Sequence, residues 1–161
     1  KKRNHIAQFS KYGAVFSEIT PNDFDECITF AAESYNAKDG YSDASSVAEQ
    51  YAIHTFFQNF EALELKGSLL RVDGELVAFS IGEPICSNTF GVHIEKADTR
   101  FHGAYPAMAQ AFAAHFAMDY TYLNREEDLG IPGLRKSKLS YYPELLLEKW
   151  TATCDTPEKL L

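Results

Sequence analysis

A mixed α/β domain, with a mostly antiparallel sheet and one buried helix, is the fold class this sequence predicts. Three observations carry the prediction. First, SLLRVDGELVAFSIGEP sets Asp73-Gly74 between two β-rich runs, a strong short-range hairpin signal, and a third run, NTFGVHIEKA, follows at once. Second, from Ala107 to Met118 only Gln110 and His115 are polar, and a helix apolar on nearly every side is a buried one. Third, DYTYLN follows that helix as another strand, which makes a strand–helix–strand crossover inside an otherwise antiparallel sheet.

The remaining elements follow in chain order. Residues 4–12 read as the end of a helix and residues 13–19 as extended chain. Thr20 is a helix N-cap, with Pro21 in the first helical position and Asp23 as the acid of the first turn. The helix that follows carries Phe24, Cys27, Ile28 and Ala31 on one face, with Tyr35 a turn later, and ends near Asn36. NAKDGYSD is a loop, and Ser42 or Asp43 in it caps a helix over residues 44–62, where Ile53, Phe56, Phe57 and Phe60 form an apolar stripe. In the third strand, alternation puts Val92 and Ile94 on one face and Gly91, His93 and Glu95 on the other. Gly103 opens the buried helix, and Pro106 is tolerated in its first turn. A Gly-Ile-Pro-Gly hinge, a short basic helix and a last strand, ELLLEKWTAT, complete the order.

Composition sets limits on function. The chain has 161 residues, of which 45% are hydrophobic and 14% aromatic, enough to bury a core. A net charge of −8 disfavours DNA or an anionic membrane as a partner held by bulk charge, although the basic residues cluster at Lys1–Arg3 and Arg135–Lys138. No apolar run approaches the roughly 18–20 residues that span a bilayer. Three cysteines without metal spacing read as reduced thiols in a cytoplasmic protein, and the five histidines never form a zinc pattern. No metal is expected. KKRNHIAQF is an abrupt start, which reads as the beginning of a fragment or of a second half.

Four stretches could carry chemistry, and each has two readings. KADTRFHGAYP is either an anion site, with Arg100 before the helix N-terminus at Gly103, or a tight turn with a solvated arginine. His93 with Glu95 is either a general base, acting directly or through water, or else an exposed polar face or a core histidine with a satisfied hydrogen bond. Glu126, Glu127 and Asp128 either hold a raised-pKa carboxylate or pair with Arg135, Lys136 and Lys138. Arg135, Lys138 and Tyr142 either face an anion or form a solvated helix end.

The block YLNREEDLGIPGLRKSKLSYYP, with VHIEKAD and GAYPA before it and KRNHIAQF at the start, resembles a bacterial family related to the C-terminal, GNAT-like domain of phosphatidylglycerol lysyltransferase. The resemblance covers nearly the whole chain. It implies a GNAT-like acyltransferase fold in which residues 1–12 are a linker helix from an N-terminal half and residues 13–161 are the second of two tandem domains, packed on the first. It implies transfer of an acyl or aminoacyl group from acyl-CoA or aminoacyl-tRNA, with no covalently bound cofactor, to an amine or hydroxyl of a small-molecule, lipid or peptide acceptor. A tRNA acceptor end is then a partner.

Carried over by position, Arg100, Gly103 and Ala104 fall on the loop that holds donor pyrophosphate in GNAT enzymes, and Tyr105 stands where that loop has Gly or Ala. Glu95, with Glu126 or Asp128 as alternatives, would take the acceptor proton. Tyr141 or Tyr142 would protonate the leaving group, with Tyr141 preferred. Arg135 and Lys138 would add anion contacts, and His93, Lys96, Asn124, Arg125 and Tyr142 would line the cleft. The competing expectation is a non-catalytic module of the same fold, which binds a ligand or supports its N-terminal half.

Overall fold

The computed structural model describes residues 1–36 and 44–153. The chain divides into two units, Lys1–Glu126 and Glu127–Leu161. In the first unit five strands run in the order β1 (Val15–Glu18), β2 (Lys66–Val72), β3 (Glu75–Cys86), β4 (Thr89–Ala97) and β5 (Tyr122–Asn124). All neighbours are antiparallel except β4 and β5, which the buried helix α4 (Ala104–Phe116) joins in parallel. This is the predicted mixed sheet with its single crossover.

Local chemistry fixes most of these elements. Asp73 and Gly74 have φ of 50° and 87°, the double left-handed turn that matches the twist of a two-stranded ribbon. The Asp23 carboxylate accepts from both the backbone N–H and the hydroxyl of Thr20, at 2.9 and 2.7 Å, and so caps a 3-10 turn over Pro21–Asp23 that leads into α2 (Phe24–Asn36), three residues later than the first helical position expected at Pro21. Arg71 of β2 then ties that start to the sheet by donating to Asp23 and Glu26.

Helices cover both faces of the sheet. On one face α2 and α3 (Ala44–Gln58) pack Cys27, Ala31, Ile53 and Phe57 against Leu69, Phe79, Ile81 and Ile94. On the other, α1 (Lys2–Phe9) and α4 pack Phe9, Met108 and Phe112 against Leu70, Val77, Phe90 and Val92. With Phe9 only 3% exposed, α1 is part of the first unit's core.

Several sequence expectations are corrected. The helix expected to reach residue 62 stops at Gln58, and the amide of Asn59 there donates to the carbonyls of both Thr55 and Phe56, the tightening of a helix end. The expected strand ELLLEKWTAT is absent among the described residues, where Leu145, Leu146 and Leu147 are exposed. The strand expected in DYTYLN shrinks to Tyr122–Asn124. The cap expected at Ser42 or Asp43, the Tyr35 side chain and Cys154 lie outside the described residues. In the second unit α5 (Pro132–Leu139) begins with Pro132 in its first turn, as the hinge predicts.

Candidate active site

Strand β5 leaves the sheet early. Its ladder with β4 covers only Thr89–Tyr122, Phe90–Leu123 and Gly91–Asn124, while β4 runs on to Ala97. Among the described residues, the edge of β4 from Val92 onward therefore has no strand partner on that side. Two side-chain links replace the ladder: His93 Nδ1 lies 2.6 Å from Glu126, and Arg125 forms an ion pair with Glu95. The Asn124 side chain accepts from the Glu126 amide at 2.8 Å, and Glu126 adopts φ 54°.

A β-bulge decides which way these groups face. Ile81 pairs with Ile94, but the next residue, Gly82, pairs with Val92, so His93 is extra. Val92 consequently joins the α1–α4 core and Ile94 the α2–α3 core. The expected common face of His93 and Glu95 is overturned. The His93 ring stacks on Phe56 of α3, centroids 5.4 Å apart, and its Nε2 lies 3.0 Å from Glu83. Lys96, buried, pairs at 2.8 Å with Glu49 of α3, so Glu95 between Ile94 and Lys96 points to the opposite, α4 side.

His93 is held between two carboxylates. Glu126 raises its pKa above the ordinary 6.5, burial works against this, and Glu83 adds to the rise. The link therefore stabilises the fold fully below pH 6.5, and its contribution fades as pH climbs through the higher folded-state value. Stability measured by urea unfolding is expected to fall across that window in the parent protein. His93→Gln is expected to flatten the dependence, and an unchanged profile would refute the assignment.

Lys2 of α1 belongs to the same neighbourhood. Its ammonium pKa is lowered by burial and then by Arg125, while Glu95 acts in the other direction. Sequence reasoning missed Lys2, because a lysine in a basic N-terminal run carries no signal other than solvation.

The loop before α4 differs from a phosphate cradle. Arg100 donates through its backbone N–H and Nε to Asp98 and through a terminal nitrogen to Glu75, at 2.7–2.8 Å. Gly103 has φ 93°, and a Cβ there would lie 2.2 Å from the His5 carbonyl oxygen of α1. The Ala104 amide is bonded to the Phe101 carbonyl. These contacts run against the phosphate role expected for Arg100, Gly103 and Ala104. Tyr105, in the first turn of α4, is partly buried against the α1–α4 core. Burial pushes its pKa up.

In the second unit, Arg135 donates to Asp128 through Nε and a terminal nitrogen, and Lys138 Nζ lies 2.6 Å from the Glu127 carbonyl oxygen. Arg135 holds Asp128 below the usual carboxylate range, which makes Asp128 a poor base at neutral pH. Of the charge run, Glu126 pairs with His93, Glu127 with Lys149 and Asp128 with Arg135, and the anion contacts expected of Arg135 and Lys138 compete with their bonds to Asp128 and to the Glu127 carbonyl. Tyr141, at 37%, and Tyr142, at 91%, are both exposed. The structure thus gathers His93, Glu95, Lys96, Asn124, Arg125 and Glu126 around one end of β4. It gathers Asp128, Arg135 and Lys138 around the hinge. Among the described residues no cluster of His, Cys, Asp or Glu could hold a metal ion.

The family model for the C-terminal domain of phosphatidylglycerol lysyltransferase matches residues 1–153. The chain belongs to that family. A conserved protein of unknown function from Bacteroides thetaiotaomicron is 46% identical, with a TM-score of 0.82 over 90% of this chain and 50% of its own. The chain thus spans half the length of that relative. A possible acetyltransferase from Clostridium difficile (10% identity, TM-score 0.60, 88% of this chain and 97% of its own) shares the fold. So does the ribosomal-protein-alanine N-acetyltransferase from Brucella melitensis (18% identity, TM-score 0.55, 88% and 96%). The fold of this family member is therefore GNAT-like. No curated protein sequence matches the chain. Among its described residues no helix is long and apolar enough to cross a membrane.

Proposed function

We propose that this chain is an acyltransferase domain acting at the open end of β4, on an acyl or aminoacyl donor and an amine or hydroxyl acceptor. The observation that carries the reading is the early departure of β5, which leaves a sheet edge flanked by Glu95–Arg125 on one face and His93–Glu126 on the other. Family membership and the GNAT-like fold support acyl transfer as the reaction class.

The edge suits the reaction. The Asp98 amide bonds to Val77 of β3, so alternation turns the Ala97 and Glu95 amides outward. The outward Glu95 amide is placed to hold the oxygen of a carbonyl as it gains negative charge. The acceptor nitrogen or oxygen attacks that carbonyl carbon, and its proton passes to the Glu95 carboxylate. The new C–N or C–O bond forms as the donor's C–S or C–O bond breaks. Tyr141, by resemblance, supplies the proton of the leaving thiol or ribose hydroxyl. Glu126, with His93 beside it, is the alternative base.

A panel of acyl-CoAs and aminoacyl-tRNAs, each with amine and alcohol acceptors, tests the reading by mass detection of product. At least one pair is expected to give turnover. A correctly folded protein that gives none would favour the binding-module alternative. That second reading has one observation of its own: Glu95 is already ion-paired with Arg125.

A further inference from the structure

Glu95 belongs to a polar row that crosses the sheet. The register pairs Glu18 with Ser68, Ser68 with Ser80 and Ser80 with Glu95, one residue from each of β1 to β4. Directly paired residues share a face, so the four side chains stand on one side. Leu70, Ala78 and Ala97 lie two residues along from Ser68, Ser80 and Glu95, and all three belong to the α1–α4 core, so the row lies under those helices. Each end of the row is a group that can hold a proton. One is Glu95, and the other is Glu18, whose carboxylate lies 2.7 Å from His115 Nε2 of α4 in an exposed pair.

The two serines between these ends are enclosed, Ser68 at 0% and Ser80 at 1% exposure. Ser80 Oγ donates to the Ile94 carbonyl at 2.8 Å, and its lone pairs can still accept. Ser68 Oγ has no hydrogen-bond partner among the described residues. A buried hydroxyl left so is costly, and an ordered water is the ordinary remedy. The spacing suits one. Neighbouring strands stand about 4.8 Å apart, close to the span of two hydrogen bonds of about 2.8 Å that meet at a single water.

We propose that Ser68 and Ser80 hold an internal water, and that this row carries the proton taken by Glu95 away to the Glu18–His115 pair. The inference rests on Glu95 as the acceptor's base and adds the route by which that base is reset. Glu95 needs a route because its side chain is only 13% exposed and is ion-paired with Arg125. The protonated Glu95 gives its proton to Ser80 Oγ as Ser80 turns from Ile94 and passes its own to the water. The water passes one to Ser68, and Ser68 passes one to the Glu18–His115 pair and so to solvent. Each oxygen in the row gains one proton and loses one, and no other bond changes. Ser68 and Ser80 are positioning residues that act through Glu95.

Two measurements on the full chain test this. NMR cross-relaxation reads the water with no substrate present. Cross-peaks from a long-lived water to the β-protons of Ser68 and Ser80 are expected in the parent protein and are expected to vanish in Ser68→Ala. Kinetics reads the route, on whichever donor–acceptor pair gives product. Ser68→Ala is expected to lower kcat by roughly tenfold with KM unchanged, and Ser68→Thr, which restores a hydroxyl, to recover most of the loss. A parent protein with no long-lived water at these serines, or a Ser68→Ala kcat equal to the parent's, would overturn the inference and leave acyl transfer standing. A parent protein that turns over no pair strikes the acyl-transfer reading itself, and the proton route falls with it.

Discussion

Gly103→Ala is expected to lower the unfolding free energy by about 2–5 kcal/mol. Two independent costs add. At φ 93° an L side chain is strained, and its Cβ would meet the His5 carbonyl oxygen at 2.2 Å and the His5 carbonyl carbon at 2.8 Å. Both atoms are backbone, so relief requires α1 to move off α4. Gly74→Ala is the control, because Gly74 has a similar φ of 87° with nothing within 4 Å of its Cβ position. It is expected to lose only the backbone part, about 1–2 kcal/mol. Urea unfolding of the two variants separates strain from collision. Equal losses would mean that α1 is not seated on Gly103, and the account of the α4 loop would fail.

The second large effect is expected from Arg125→Met, at about 3–5 kcal/mol. The Glu95 side chain is 13% exposed, and its guanidinium partner only 22%. Removing the cation strands a carboxylate in a place water reaches poorly. Removing the carboxylate as well, in Arg125→Met with Glu95→Leu, is expected to restore much of the loss, since a buried pair replaced by apolar groups is often neutral. A double-mutant cycle reads the coupling directly. Simple additivity of the two changes would show that the link between β4 and the end of β5 contributes nothing.

Legibility in the sequence followed locality. The Asp73-Gly74 turn, the Thr20–Asp23 cap and the apolar helix α4 each depend on residues close in sequence, and each is where its residue types place it. The β-bulge at His93 depends on pairing with Gly82 of the neighbouring strand, and alternation alone therefore gave Val92 and Ile94 the same face. Leu145–Leu147 satisfies strand composition, but a strand also needs a ladder partner, which composition does not encode. Glu95 was legible as a candidate, whereas its tie to Arg125 across 30 residues was not. Arg100 shows the converse. Its position matched a phosphate loop, yet Asp98 two residues away and Glu75 on β3 hold its charge. Spacing identifies which residues could meet a ligand, and only the fold shows which of them are already engaged.

The central claim is that acyl transfer runs at the open end of β4 with Glu95 as the acceptor's base. The most direct test is kcat for Glu95→Gln, measured on whichever donor–acceptor pair gives product with the parent protein. Glutamine keeps the shape and a hydrogen bond to Arg125 but has no basic carboxylate. The account predicts a fall in kcat of roughly 100-fold or more with the fold intact by circular dichroism. An unchanged kcat in a folded Glu95→Gln protein would contradict it.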